Sequence, residues 1–189
     1  MEDTQYTDQT LRLVEQMRHE GYSNTGTVLQ SYLYRSEGDA RRLLADGIPI
    51  RLVKGAYQEP PDKAFPRKAD VDANFDLLTK IIMDAALTAK SPRSGSATCF
   101  PPIPAIGTHD ERRIEFAKQY AARIGLSKQD YELQMLYGIR RDLQERLVSE
   151  GYLVRVYVPF GTHWYPYFMR RLAERPANIW FFISNFFRK

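Results

Sequence analysis

Apolar positions along the chain alternate between two periods. From Thr7 to Gly21, Leu11, Val14 and Met17 recur at helical spacing, with Asp8 early and Gly21 as a stop, which predicts a helix. The next run, TVLQSYLYR from Thr27 to Arg35, is β-branched and aromatic and predicts a strand, after which Ser36 caps a helix, EGDARRLLADG, ending at Gly47. The pattern then repeats: Ile48 to Tyr57 is a strand, and Ala69 to Lys90 is a long amphipathic helix. Ser91 to Pro104 holds Pro92, Pro101, Pro102 and Pro104 and reads as loop, leaving a short strand at Ala105 and Ile106 before the helix opened by THDERRIEFAKQYAARIG. Tyr131 to Tyr137 is the next strand, RRDLQERLVSEG its helix, YLVRVYVPF the last strand and YPYFMRRLAER the last helix. The closing NIWFFISNFFRK is apolar and aromatic.

Strands that alternate with helices, with no hairpin signal between them, imply right-handed βαβ units and a parallel sheet. Five such strands would suit a doubly wound sheet, but the dinucleotide fingerprint G-x-G-x-x-G after the first strand is absent. Gln30, Arg51, Gln134, Arg155 and Tyr157 interrupt otherwise apolar strands, and alternation puts Arg51 on one face with Val53, Gly55 and Tyr57. Inward polar residues near strand ends are how a closed barrel builds its site. Eight β/α units typically need about 250 residues. The expected fold is therefore α/β, a (β/α)8 TIM-type barrel of which this chain supplies the last five units.

Composition narrows the class further. With 189 residues, 43% hydrophobic and 26% charged, residues 1–189 are expected to form one globular domain. Cys99 is the single cysteine, so no intrachain disulfide framework exists and a reducing compartment fits. A net charge of +4 permits an anionic ligand, but the basic residues are dispersed among 23 acids, and nucleic-acid binding is not expected. No apolar run reaches the roughly 20 residues of a spanning helix, and the start, MEDTQYTDQT, is polar and acidic where a signal peptide would be basic and then apolar. A soluble or peripheral protein is expected.

The last predicted helix carries the densest chemistry. Tyr167, Arg170, Arg171 and Glu174 fall at i, i+3, i+4 and i+7, so one face presents a ring, two guanidinium groups and a carboxylate. A solvated charged face is the plainer explanation. Against it, both arginines lie within two turns of the start marked by Pro166, where the helix dipole disfavours cations, and Arg before Glu is the poorer order for an ion pair. Two planar forks beside a ring suit a small carboxylate or phosphate held at two points, with Glu174 orienting the arginines. Arg51, inside IPIRLV, requires an acceptor: either an internal carboxylate such as Glu132 or the electron-rich edge of a cofactor. Lys54, Gly55 and Ala56 follow, and Gly55 would let the backbone approach a flat ligand closely. His109, in GTHD, stands at a strand end where Thr108 or Asp110 caps the next helix; it is either structural or a cofactor hydrogen-bond partner. His163 is similarly placed, and His19 reads as solvated. No residues show metal-ligand spacing, a Ser nucleophile elbow or a phosphate-cradling loop, so no metal, hydrolase or nucleotide triphosphatase activity is expected. The apolar tail is expected to pack on the barrel, with a partner or membrane face as its alternative.

RLVKGAY at 51–57, VLQSYLYR at 28–35, THD at 108–110, YELQMLYGI at 131–139 and YVPFGTHWYPYFMRRLAERP at 157–176 together resemble the flavin-dependent proline dehydrogenases of the bacterial single-function type. The likeness runs over nearly the whole chain. It implies a distorted (β/α)8 barrel that binds FAD at the C-terminal face of the strands, oxidises L-proline to 1-pyrroline-5-carboxylate by hydride transfer, and passes electrons to a quinone. By the same resemblance Arg51 and Gln30 hydrogen-bond the isoalloxazine, and the backbone around Val53, Lys54 and Gly55, together with Thr108 and His109, contributes to FAD binding. Arg170 and Arg171 resemble the pair that clamps the proline carboxylate, Tyr167 and Leu136 the residues that pack on the pyrrolidine ring, Tyr157 a pocket residue, and Glu174 the partner of the arginines. The cofactor carries the chemistry and the protein supplies orientation and electrostatics.

The start of the chain departs from the family pattern. MEDTQYTDQT resembles the end of the family's third strand, where an Asp precedes the Met-Glu-Asp run, so the expectation is an N-terminally truncated barrel lacking the first strands, that Asp and an earlier carboxylate-binding lysine. SPRSGSATCFPPIPAIGTHD is also longer and richer in Pro than the family's sixth-strand region. A missing barrel half supplied by another chain, or an inactive or partner-dependent fragment, is the alternative to an active enzyme. The expected location is the cytoplasm, with peripheral contact at the inner face of the membrane as an extension of it.

Overall fold

The computed structural model describes residues 3–55, 57, 59–88, 104–158 and 160–161. Within them the order is α1 (Thr4–His19), β1 (Thr27–Gln30), α2 (Ser36–Ala45), β2 (Ile50–Val53), α3 (Lys68–Thr88), β3 (Ala105–Gly107), α4 (Glu111–Ile124), β4 (Glu132–Leu136), α5 (Arg141–Ser149) and β5 (Leu153–Tyr157). The predicted last helix and the apolar tail lie outside the described residues, as does nearly all of the loop 91–104. No helix among the described residues is long and apolar enough to cross a membrane.

The five strands form one parallel sheet in the order β1-β2-β3-β4-β5, each beside its successor. A doubly wound sheet reverses its strand order at a switch point, because its helices divide between two faces. A sheet that never reverses keeps its right-handed crossovers on one face, and this is the winding of a (β/α)8 barrel. Consistently, α3 packs beside both α2 and α4. The fold is thus the expected α/β type, with five strands of barrel-like winding.

Register makes the helix-covered face apolar. Leu29, Leu52, Ile106, Leu133 and Val154 lie side by side across the sheet. The first four are almost wholly buried, in one cluster with Leu43 of α2, Phe75, Leu78, Ile82 and Met83 of α3, Ile114 and Ala117 of α4, and Leu143 and Leu147 of α5. On α3, Val71, Phe75, Leu78 and Ile82 recur at three- and four-residue spacing, with Met83 buried beside Ile82, which is why this stretch is a helix and which face it buries.

Several boundaries differ from the sequence expectation for local reasons. Helix α1 starts at Thr4, because the carboxylate of Asp3 accepts from the Gln5 N–H at 3.0 Å and closes the first turn earlier than Thr7. Ser36 does not cap α2: its hydroxyl donates to the Gln30 carbonyl at 2.6 Å and ties the helix start to the end of β1. TVLQSYLYR is a strand only as far as Gln30, since its second half leaves the sheet and Leu33 forms an antiparallel bridge with Ala64 in the β2–α3 loop. Tyr32, Leu33, Ala64 and Val71 bury together there as a second small core.

Gly55, two residues beyond the end of β2, has φ +110°, and a Cβ built on it would come within 2.2 Å of the buried Tyr32 ring. On the side where a Cβ would stand, the Gly55 backbone lies directly against the Tyr32 ring. Both the backbone conformation and the ring exclude a side chain. Gly55→Ala is expected to destabilise the protein by about 2 kcal/mol or more, read as a lower urea midpoint at unchanged slope; an unchanged midpoint would mean that Tyr32 has room to move.

Candidate functional site

Alternation gives the opposite, inner face of the sheet a different chemistry. It carries Val28 and Gln30 of β1, Arg51 and Val53 of β2, Ala105 and Gly107 of β3, Glu132, Gln134 and Leu136 of β4, and Leu153, Arg155 and Tyr157 of β5. In a parallel sheet all C-terminal ends point the same way. Gln30, Val53, Gly107, Leu136 and Tyr157 accordingly end their strands at one edge of the fold, where α/β proteins place ligands.

The polar residues of this face are joined. Arg51 Nε donates to Gln134 Oε1 at 2.6 Å, and Gln134 Nε2 donates to Glu132 Oε1 at 2.8 Å. Arg155 holds both oxygens of the same carboxylate, Nε to Oε1 at 2.5 Å and an Nη nitrogen to Oε2 at 2.8 Å. Glu132 is only 3% exposed, so this two-point pairing is what offsets its removal from water. Gln134 thus connects Arg51 to Glu132, the carboxylate that the sequence offers as one of two alternative acceptors for it.

Arg51 spans a whole strand to reach Gln134. It can do so because β3 places Ala105 and Gly107 on this face. A Cβ on Gly107 would lie 2.9 Å from the Val53 side chain, 3.0 Å from the Leu52 carbonyl oxygen and 3.4 Å from Arg51 Nε. Gly107 is a member of the site that sequence reasoning misses. The only signal is its position, one residue beyond a two-residue strand prediction and on the face of Arg51.

At the rim, the His109 ring takes over from β3. The Glu132 N–H donates to the Pro104 carbonyl at 3.0 Å, and β4 still offers donors after β3 has ended at Gly107. The Leu136 N–H donates to His109 Nε2 at 2.8 Å, so an imidazole stands where the next carbonyl of the ladder would. Burial, with the positive charges of Arg140 and Arg51 adding to it, pushes the pKa of His109 down to about 4. The ring is neutral at pH 7, and acceptance at Nε2 puts its proton on Nδ1.

Of the two residues considered for capping α4, Asp110 does it, accepting from the Arg112 N–H at 3.1 Å, while Thr108 Oγ1 accepts from the Asp110 N–H at 3.1 Å. Lys54 turns its ammonium away from the inner face, 2.5 Å from Asp72 of α3 and 2.5 Å from Asp110. Burial raises the pKa of both carboxylates, yet hydrogen bonds from Lys54 to both and from Lys68 to Asp72 outweigh it, and both lie below the usual range. What Lys54 can give a ligand is therefore its backbone. The Val53 and Lys54 carbonyls accept from Ser31 and Tyr32 N–H at 2.8 and 3.0 Å, which locks the end of β2 to β1.

The structure thus places Gln30, Val53, Leu136 and Tyr157 at the C-terminal ends of their strands, Gly55, Thr108 and His109 just beyond such ends, and Arg51 on the same inner face two residues before the end of β2. Tyr167, Arg170, Arg171, Glu174 and His163 lie outside the described residues. Among the described residues no group of three or more His, Cys, Asp and Glu is placed to hold a metal ion.

A family model described as proline dehydrogenase matches residues 1–182. The proline dehydrogenase of Deinococcus radiodurans is 46% identical over 187 residues, covering 98% of this chain and 55% of that protein. Proline dehydrogenase 2 of Bacillus subtilis is 45% identical over 190 residues, covering 100% of this chain and 57% of that protein. The chain spans a little over half the length of these relatives. Among solved structures, proline utilization A from Bdellovibrio bacteriovorus, inactivated by N-propargylglycine, matches with a TM-score of 0.71 at 28% identity, over 85% of this chain and 18% of that one. A bifunctional proline utilization A protein matches in fold with a TM-score of 0.74 at 22% identity, over 94% of this chain and 19% of that one. With the family match covering residues 1–182 and relatives at about 45% identity along the whole chain, the chain belongs to the proline dehydrogenase family.

Proposed function

We propose that this chain forms the cofactor- and substrate-binding face of an enzyme that oxidises L-proline to 1-pyrroline-5-carboxylate, with FAD as cofactor and a quinone as electron acceptor. The observation that carries the proposal is the inner-face pair of Gln30 and Arg51, the latter held by Gln134, with a neutral His109 beyond the end of β3. Their donors, a guanidinium, an amide and an imidazole N–H, are what a heteroaromatic ring rich in carbonyl and ring-nitrogen acceptors requires. Gly107 leaves the space beside the Arg51 Nε unfilled. FAD, when bound, supplies a two-electron acceptor for the oxidation of the proline carbon next to nitrogen.

Each of the chain's own residues has a distinct task in this scheme. Arg51 and Gln30 hydrogen-bond the ring edge, and the Arg51 guanidinium puts positive charge where an electron-accepting ring gains negative charge. Val53, Lys54 and Gly55 contribute backbone, and Thr108 and His109 hydrogen-bond the cofactor; a neutral His109 donates without adding a second positive charge. Arg170 and Arg171 hold the proline carboxylate in two forks and Glu174 orients them. Tyr167 and Leu136 pack on the pyrrolidine ring, Tyr157 lines the pocket, and together they fix which carbon faces the cofactor. A cytoplasmic location with peripheral membrane contact fits a quinone acceptor.

Arg51→Met in the full-length protein is expected to lower FAD occupancy or shift the flavin reduction potential while circular dichroism stays unchanged; matching FAD content, spectrum and potential would refute its flavin role. Arg170→Met and Arg171→Met should each raise the proline KM by well over tenfold, since one hydrogen bond to a charged group contributes roughly 1.5 to 3 kcal/mol. Two unchanged KM values would remove the carboxylate clamp from the proposal. His109 makes a pH prediction. Its pKa is about 4 in the folded protein against an ordinary 6.5, so the unfolded chain binds more protons between these values and stability falls as pH drops through that window. His109→Gln, which keeps an acceptor for the Leu136 N–H, should flatten the melting temperature between pH 6.5 and pH 4; an unaltered slope would assign the acid sensitivity to other groups.

A further inference from the structure

We propose that Glu132 and Arg155 are positioning residues for Arg51 and act through Gln134, whose side-chain amide they orient. The inference rests on the proposed flavin role of Arg51 and adds to it the groups that aim its guanidinium.

A glutamine amide has a donor end and an acceptor end of almost the same shape, so packing alone does not decide which faces a neighbour. The decision comes from chemistry on both sides. Glu132, bound at both oxygens by Arg155, can only accept, and it lies 2.8 Å from Gln134 Nε2. That contact turns Oε1 toward β2, where it accepts from Arg51 Nε at 2.6 Å. Without the carboxylate the amide could rotate and present its NH2 to a guanidinium, donor against donor. Arg155 completes the device by fixing the carboxylate plane and offsetting a charge that is 3% exposed.

The geometry also explains why an amide stands at position 134. A carboxylate there would pair more strongly with Arg51 but would face Glu132 as a like charge on the same strand, two residues away. The amide lets one buried carboxylate serve two arginines on opposite sides, with Ala105 and Gly107 of β3 leaving the path to Arg51 open. Holding Arg51 by Nε fixes the plane of its two Nη groups, which is what alignment with a flat ring edge demands.

The competing explanation is that the network only neutralises a buried carboxylate. Glu132→Leu with Arg155→Met separates the two, because removing both members of the ion pair leaves neither without the other, while Gln134 loses what orients it, and an unchanged circular dichroism spectrum is the condition for reading the result. In the full-length protein, the Arg51 Nε–H signal in a 15N–1H NMR spectrum, assigned by its loss in Arg51→Lys, and the FAD Kd by fluorescence titration are the readouts. The double variant is expected to lose the protected Nε–H signal and to weaken FAD binding by about tenfold, the scale of one hydrogen bond to a charged group. Adding Gln134→Glu, an acceptor that needs no orienting and in this background faces no carboxylate at 132, should restore the signal. A double variant with wild-type signal and Kd, or a loss that Gln134→Glu does not restore, would overturn the positioning role. If the unmodified protein binds no FAD, the flavin proposal falls, and the NMR comparison alone still decides whether Glu132 aims Gln134 at Arg51.

Discussion

A carboxylate almost wholly removed from water, Glu132, sets the terms for the inner face of the sheet. An unpaired charge in that position costs several kcal/mol. Arg155 meets it with a two-point fork, and the remaining acceptor capacity of Oε1 is used by Gln134. Gln134 in turn presents an oxygen to Arg51 across β3. Four side chains on three strands are thereby fixed by one electrostatic requirement, and the glycine and alanine of β3 are what let them meet.

The helix-covered face supports this arrangement by a separate means. The row Leu29, Leu52, Ile106 and Leu133 is buried under α2, α3 and α4 and holds the strands in a register that a one-residue slip would invert. At the rim the two faces are coupled by ions. Lys54, at the end of β2, bridges Asp72 of α3 and Asp110 at the start of α4, so the segment that carries His109 is anchored from the helix side while its ring holds β4 from the strand side. Tyr32 against Gly55 closes the neighbouring turn. The C-terminal ends of the strands are thereby tied to both the helices and the sheet.

Much of this was legible in the sequence because it depends on periodicity and on rare residue placement. Arg51 inside IPIRLV, Gln134 inside YELQMLY and Arg155 inside YLVRVY are polar interruptions of apolar strands, and alternation alone assigns them to one face. The part Gln134 plays between Arg51 and Glu132 was not legible, because register sets which side chains lie within reach. Gly107 carried no recognisable signal, since its importance comes from the Arg51 side chain lying over it. Ser36 looked like a helix cap by residue type, and only the proximity of the Gln30 carbonyl diverted its hydroxyl.

The sequence by itself determined the alternation of strands and helices, the parallel character of the sheet, the polar identity of one strand face and, through five ordered motifs, the family. These depend on short-range spacing and on residue types that survive any tertiary context. Tertiary structure alone decided the monotonic strand order, the path from Arg51 through Gln134 to Glu132 and Arg155, the substitution of the His109 ring for a ladder carbonyl, and the turning of Lys54 toward Asp72 and Asp110. Each of these joins residues from about 20 to more than 80 positions apart along the chain, and a hydrogen bond forms only within about 3 Å. Distances of that size are fixed by packing and register, which no local pattern of residues encodes.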